Sequence, residues 1–93
     1  MYFEWDAVKS RHNEDKHGVT FDEATTVFGD PLALTFDDRE HSENEPRYLT
    51  FGLSVGNRAL VVAHTARNDM IRIISARPMR PRERRDYEQY GQR

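Results

Sequence analysis

Two adjacent stretches in the middle of the chain constrain its fold more than anything else in it. From Tyr48 to Val55 the residues alternate, with Leu49, Phe51, Leu53 and Val55 on one side of an extended chain. From Ala59 to Thr65 they are almost continuously apolar, the pattern of a central strand covered on both faces. Gly56-Asn57 separates the two runs, and glycine first in a two-residue loop predicts a type II′ hairpin. In that register Val55 faces Arg58 and Leu49 faces His64. Ala66 to Asp69 turns the chain again, and Met70 to Ala76 reads as the last strand.

The flanking segments supply the cover for this meander. Tyr2 to Trp5 suits a short strand. Asp6 caps a helix over Ala7–Lys16, and Gly18 is a natural residue to end it. That helix is weakly amphipathic and is expected on the surface. Thr20 and Glu23 form a capping box for a second helix, with Val19 and Ala24 as its hydrophobic staple. Phe21, Ala24, Val27 and Phe28 give this helix one apolar face, and Gly29 and Pro31 stop it. Leu32 to Phe36 reads as a strand, and Asp37 to Pro46, without an apolar residue, as an exposed loop. Pro81 opens a terminal helix running to about Tyr90. The predicted fold is a single α+β domain over residues 1–93. It has a mostly antiparallel sheet of about four to five strands, two N-terminal helices and one C-terminal helix, gathered on one side.

Charge narrows the function classes. Residues 1–46 hold 12 acidic and 4 basic side chains, whereas residues 47–93 hold 10 basic and 4 acidic. Twelve of the 14 basic residues are arginines, whose planar fork binds phosphate bidentately. An acidic half followed by a basic half can present a cationic face to a polyanion, although a surface rich in ion pairs gives the same composition. The absence of cysteine excludes disulfides and thiolate metal sites. No stretch reads as a signal peptide or a membrane span, so a cytoplasmic location is expected.

Several residues could carry chemistry. His64 ends the apolar strand near Arg67, which places it at a sheet rim; a half-buried histidine bonded to a backbone carbonyl is the structural alternative. Alternation puts Arg77 with Ile71, Ile73 and Ser75, and Arg72 on the other face. Arg77 and the following Arg80 and Arg84 sit near a helix N-terminus, where free N–H groups attract anions. Lys16-His17 closes the first helix, where its dipole favours cations. His12 and His17 point to different sides of that helix and no HExxH or Cys/His cluster occurs, so no metal and no cofactor is expected. Histidine or a shifted glutamate as base, with arginine at the phosphate, is enough to cleave RNA through attack by its own 2′-hydroxyl.

Lys16-His17-Gly18-Val19, Phe21-Asp22-Glu23-Ala24, Val27-Phe28-Gly29-Asp30-Pro31 and Arg72-Ile73-Ile74-Ser75-Ala76-Arg77 together resemble the BrnT family. So do Glu45 with Arg47, His64 with Arg67, and Glu83-Arg84 with Tyr87. The resemblance implies a RelE-like fold and a ribonuclease toxin of a type II toxin–antitoxin pair. It implies an antitoxin partner, of the DNA-binding ribbon-helix-helix kind, and operator DNA bound only through that partner. Carried over position by position, it implies catalytic roles for Lys16, His17, His64, Arg67 and Arg77, and substrate contacts for Arg80, Glu83, Arg84 and Tyr87. The chain departs from the pattern at Pro78, where a second basic residue would follow the arginine; Arg80 is the nearest substitute. The competing readings are a binding module without catalysis and a degenerate toxin that serves only as corepressor.

Overall fold

The computed structural model describes residues 1–91. Its elements are β1 (Phe3–Glu4), α1 (Ala7–His17), α2 (Phe21–Thr26) with a 3-10 turn (Val27–Gly29) after it, β2 (Leu34–Asp37), a short 3-10 turn within the following loop (Arg39–His41), β3 (Tyr48–Leu53), β4 (Ala59–Arg67), β5 (Met70–Pro78) and α3 (Pro81–Gly91). The five strands lie in the order β1-β5-β4-β3-β2. β1 runs parallel to β5 and every other pairing is antiparallel, so this α+β sheet is mixed.

Local chemistry sets the helix ends. Asp6 Oδ1 accepts from the N–H groups of Val8 (2.8 Å) and Lys9 (3.1 Å) and starts α1. Gly18, at φ 69°, ends α1 with its N–H on the Glu14 carbonyl at 2.8 Å. Thr20 Oγ1 accepts from Glu23 N at 3.0 Å and starts α2. The Glu23 side chain does not return to close the expected capping box. It turns instead to Ser54 and Arg58.

Three expectations about the meander need correction. The β3–β4 loop has three residues, because Ser54 N donates to Arg58 O and Asn57 N donates to Ser54 O. Asn57 rather than Gly56 takes the left-handed conformation, at φ 62°, as in a type I turn closed by a bulge residue. His64 is therefore paired with Tyr48, not Leu49. The two-residue hairpin with both central φ angles positive lies elsewhere, at Asn68 (53°) and Asp69 (61°), so β4 extends to Arg67. Finally, β5 carries a bulge at Ile74: Ala63 pairs with Ser75 while His64 pairs with Ile73. The extra residue reverses the phase of the strand. Ile71, Ile73 and Ala76 share one face, and Arg72, Ser75 and Arg77 share the other, so Arg72 and Arg77 lie together rather than apart.

α1 and α2 cover the first of these faces. Val19, Phe21, Ala24 and Val27 pack there on Leu60, Val62, Ile73 and Ala76 to form the core. Gly52 lets the 3-10 turn approach closely; a Cβ at this position would lie 2.9 Å from Val27 Cγ1. Asn13 is the buried residue of α1. Its amide donates to the carbonyls of Val19 (2.9 Å) and Ala76 (2.8 Å) and accepts from Ala76 N (3.0 Å). One side chain thus satisfies both backbone groups of a β5 residue beyond the reach of β1. The helices are not all on one side. Glu83, Asp86 and Tyr87 of α3 line a groove with Leu34, Phe36, Leu49 and Phe51, which belong to the opposite, far face of the sheet.

Candidate active site

The far face is the one that carries the strand arginines. Arg77 pairs across the ladder with Val61, and alternation along β4 adds Ala63, Thr65 and Arg67. Arg72 of β5 faces Thr65 from the same side. Each strand arginine here meets a carboxylate. Arg67 reaches Glu45 (3.1 Å), Arg72 reaches Glu4 (3.4 Å) and Arg77 reaches Glu83 (2.8 Å). Arg47, at the start of β3, lies 3.8 Å from Asp38, and its buried Nε makes no hydrogen bond.

The Arg77–Glu83 pair is the most ordered of these. Arg77 donates through both terminal nitrogens to the two Glu83 oxygens, at 2.8 and 2.9 Å. Glu83 Oε1 also accepts from Arg80 N at 2.8 Å, which closes the N-terminus of α3. The Arg77 guanidinium holds the Glu83 carboxyl below its ordinary range against the opposing effect of burial, and the Arg80 N–H adds to it. Arg77 is in turn raised by the same partner. Arg80 and Arg84 are exposed, and Arg84 stands 3.7 Å from Glu88. Tyr87 is buried, and its hydroxyl donates to Asp30 Oδ2. Burial, then the Asp30 bond, pushes the Tyr87 hydroxyl up to about 12, so it remains a donor. Burial opposes the charge on Asp30, but Tyr87 and the N–H groups of Leu53 and Leu32 outweigh it and hold the carboxyl low.

His64 is not at a rim. It lies under the helices on the other face, 7% exposed, with Nε2 sharing a 2.7 Å hydrogen bond with Thr50 Oγ1. Phe28 meets its ring edge-on at 4.9 Å, and Tyr48 stacks at 5.7 Å. Burial pushes the imidazole down to about 4, so it is neutral at ordinary pH. Three positions further along β4, Arg67 falls on the opposite side of the sheet from it.

Lys16 and His17 occupy a third place, at the C-terminal end of α1. Beside them Arg58 donates to the Gly18 carbonyl at 2.9 Å and grips Glu23 through Nε at 2.9 Å and a terminal nitrogen. Arg58 chiefly, against burial and with help from Ser54, holds the Glu23 carboxyl low. The expected convergence on one sheet edge is therefore not what the fold provides. Arg67 and Arg77 share a face but stand six positions apart along β4, about 20 Å at the usual rise. Sequence reading gave no role to Arg58 or Asn13, and it set Arg72 on the wrong face. Only the bulge could have corrected Arg72, and nothing in the composition of β5 marks it.

Among the described residues no group of three or more His, Cys, Asp or Glu is placed to hold a metal ion. Nor is any described helix long and apolar enough to cross a membrane.

Comparison with known proteins identifies the family. The family model of the ribonuclease toxin BrnT of type II toxin–antitoxin systems matches residues 5–83. The chain belongs to the BrnT family. A crystal structure of the Brucella abortus ribonuclease toxin BrnT shares the fold, with a TM-score of 0.66 at 22% identity. The similarity covers 86% of this chain and 97% of that one. Comparison with curated proteins gave no match. The BrnT match takes in Lys16, His17, His64, Arg67, Arg77, Arg80 and Glu83, and it ends before Arg84 and Tyr87.

Proposed function

We propose that this BrnT-family chain is a ribosome-independent, metal-independent endoribonuclease whose far sheet face binds the RNA backbone. The observation that carries this reading is the common face of Arg67, Arg72 and Arg77, each charged and each held in place by a carboxylate. Phosphate exchanges for such a carboxylate at an arginine fork already oriented, which lowers the entropic cost of binding. Chemistry is assigned to the Arg77–Glu83 pair. Glu83, kept ionised, takes the proton from the substrate 2′-hydroxyl as that oxygen attacks the adjacent phosphorus. Arg77 stabilises the charge that develops on the phosphorane oxygens; the P–O5′ bond breaks to leave a 2′,3′-cyclic phosphate, and the 5′-oxygen takes a proton from water while Glu83 returns its own to solvent. Arg80 and Arg84, exposed at the start of α3, extend the backbone contact. Tyr87 fixes α3 through Asp30 and so acts as a positioning residue. DNA, without the 2′-hydroxyl, is not a substrate for this route.

A second reading is favoured by the Lys16–His17 corner, where the next residue, Gly18, gives its carbonyl to the arginine of another arginine–glutamate pair, Arg58–Glu23. There His17 is the base and Lys16 the phosphate ligand. Purified protein incubated with labelled RNA and chelator decides between the two. Discrete cleavage products that vanish in Arg77→Ala and Glu83→Gln, and survive in Lys16→Ala and His17→Ala, support the far-face assignment. The reverse pattern moves the chemistry to the corner. A mobility shift without cleavage leaves only a binding module.

The toxin reading also carries a partner. An antitoxin of the ribbon-helix-helix type would neutralise the chain in the cytoplasm and bring the pair to operator DNA. Co-expression with the product of the adjacent short reading frame tests this through rescued growth and a stable complex.

A further inference from the structure

We propose that the groove between α3 and strands β2 and β3 is the docking site of the antitoxin, and that it takes a segment bearing apolar and basic side chains. This rests on the toxin reading above and adds where the partner sits and by what chemistry. The groove has a volume of about 600 Å³. Its floor is Leu34, Phe36, Leu49 and Phe51 from the far face, and its wall is Glu83, Asp86, Tyr87, Gln89 and Tyr90 of α3. All of these wall positions but Gln89 fall at helical spacing on one face of α3, whereas Arg82, Arg84 and Arg85 are exposed and line no part of the groove.

Two features identify the occupant. The floor leaves large apolar surface in water: Phe36 is 47% exposed, though it makes an edge-on contact with Phe51 at 5.7 Å. A contiguous patch of this kind, rimmed by polar groups, marks a protein contact. The charge of Glu83 is taken up by Arg77, so Asp86 is the carboxylate the rim offers to a partner. Lysine or arginine from a polypeptide complements Asp86 while its apolar neighbours cover the floor. The groove borders β2, an edge strand of the sheet, which leaves room beside it for an extended or helical segment. Glu83 belongs both to this wall and to the Arg77 pair, so an occupant here abuts the catalytic arginine.

The test uses the full chain and its full-length antitoxin. Phe36→Asp and Asp86→Lys change the floor and the rim without touching the arginine–carboxylate pairs. Both are expected to cleave RNA at the wild-type rate when free. Their affinity for the antitoxin, by titration calorimetry, and its inhibition of cleavage are expected to fall about tenfold for Asp86→Lys and more for Phe36→Asp. An unchanged melting temperature for Asp86→Lys excludes misfolding as the cause. Variants that bind and are neutralised like wild type overturn the docking site while leaving the toxin reading intact. Wild-type protein that neither cleaves RNA nor binds the antitoxin overturns both. Two further results also overturn the proposal: tighter RNA binding by Asp86→Lys with unchanged neutralisation, and a wild-type homodimer that Phe36→Asp dissolves.

Discussion

The two faces of the sheet use the same polar residue types to opposite ends. On the helix face, His64 and Asn13 are enclosed: His64 meets Thr50, Phe28 and Tyr48, and Asn13 completes backbone hydrogen bonds of β5 and the α1–α2 connection. On the far face, Arg67, Arg72 and Arg77 remain reachable from solvent, each steadied by a carboxylate. The enclosed groups give rigidity, since a buried polar atom left without its partner is costly. The open pairs are exchangeable, because an exposed ion pair contributes little to stability. A polar residue in a strand therefore becomes structural or functional according to its phase relative to the helices.

Removing Arg77 tests the open face most severely. Arg77→Ala is expected to lower RNA cleavage by about 10²–10³-fold, the usual effect of losing one donor to a developing oxyanion. Its melting temperature should stay within a few degrees of wild type. Equal losses of activity and stability would make Arg77 a strut and erase the contrast between the faces.

On the enclosed face, Asn13→Ala leaves the Ala76 N–H and two carbonyls without their partner. A loss of about 2–4 kcal/mol in urea unfolding is expected, with cleavage by the folded fraction unchanged. A smaller loss, below about 1 kcal/mol, would mean that water replaces the side chain and that α1 is not pinned to β5 through it.

His64 supplies the same test through pH. Its proton is taken up only near 4 in the folded protein, against an ordinary histidine value of 6.5. As pH falls through 6.5 the unfolded chain binds the proton first, so stability present above 6.5 is lost on the way down to 4. Each pH unit of that window costs about 1.4 kcal/mol, up to about 3 kcal/mol in all. His64→Gln should flatten this slope in denaturation measured at several pH values. A slope that survives the substitution would assign it to other groups.

How much of this was readable beforehand follows from the range of the forces involved. The caps at Asp6, Gly18 and Thr20 were legible because each acts within a few residues. The alternation of β3 and the apolar run of β4 were legible because burial imposes them. The bulge at Ile74 was not, since it depends on how two strands are matched rather than on either strand alone. That one residue decides whether Arg72 and Arg77 act together. Asn13 and Arg58 were hidden for a related reason: their partners, Ala76 and Glu23, lie 63 and 35 residues away. The site types were visible in the arginine-rich second half, but their placement was not.

The smallest effect is expected at Arg67–Glu45, where both side chains are nearly half exposed, at 46% and 45%. Coulomb attraction across this 3.1 Å contact is screened by water, and ordering two long side chains offsets much of what remains. Glu45→Gln should therefore shift unfolding by no more than about 0.5 kcal/mol. Its effect on RNA binding should have the opposite sign from that of an arginine deletion: freeing Arg67 removes a competitor for phosphate, so affinity rises severalfold at low salt. The gain should shrink as salt is raised, because phosphate binding by arginine is itself salt-dependent. Affinity measured by fluorescence anisotropy in Glu45→Gln, Arg67→Ala and the double variant separates the possibilities. A double variant that matches Arg67→Ala shows that Glu45 acts only through the arginine it holds. A Glu45→Gln variant that binds RNA more weakly would instead make the carboxylate a contact in its own right, and the far face would then be read as a mixed-charge surface rather than a cationic one.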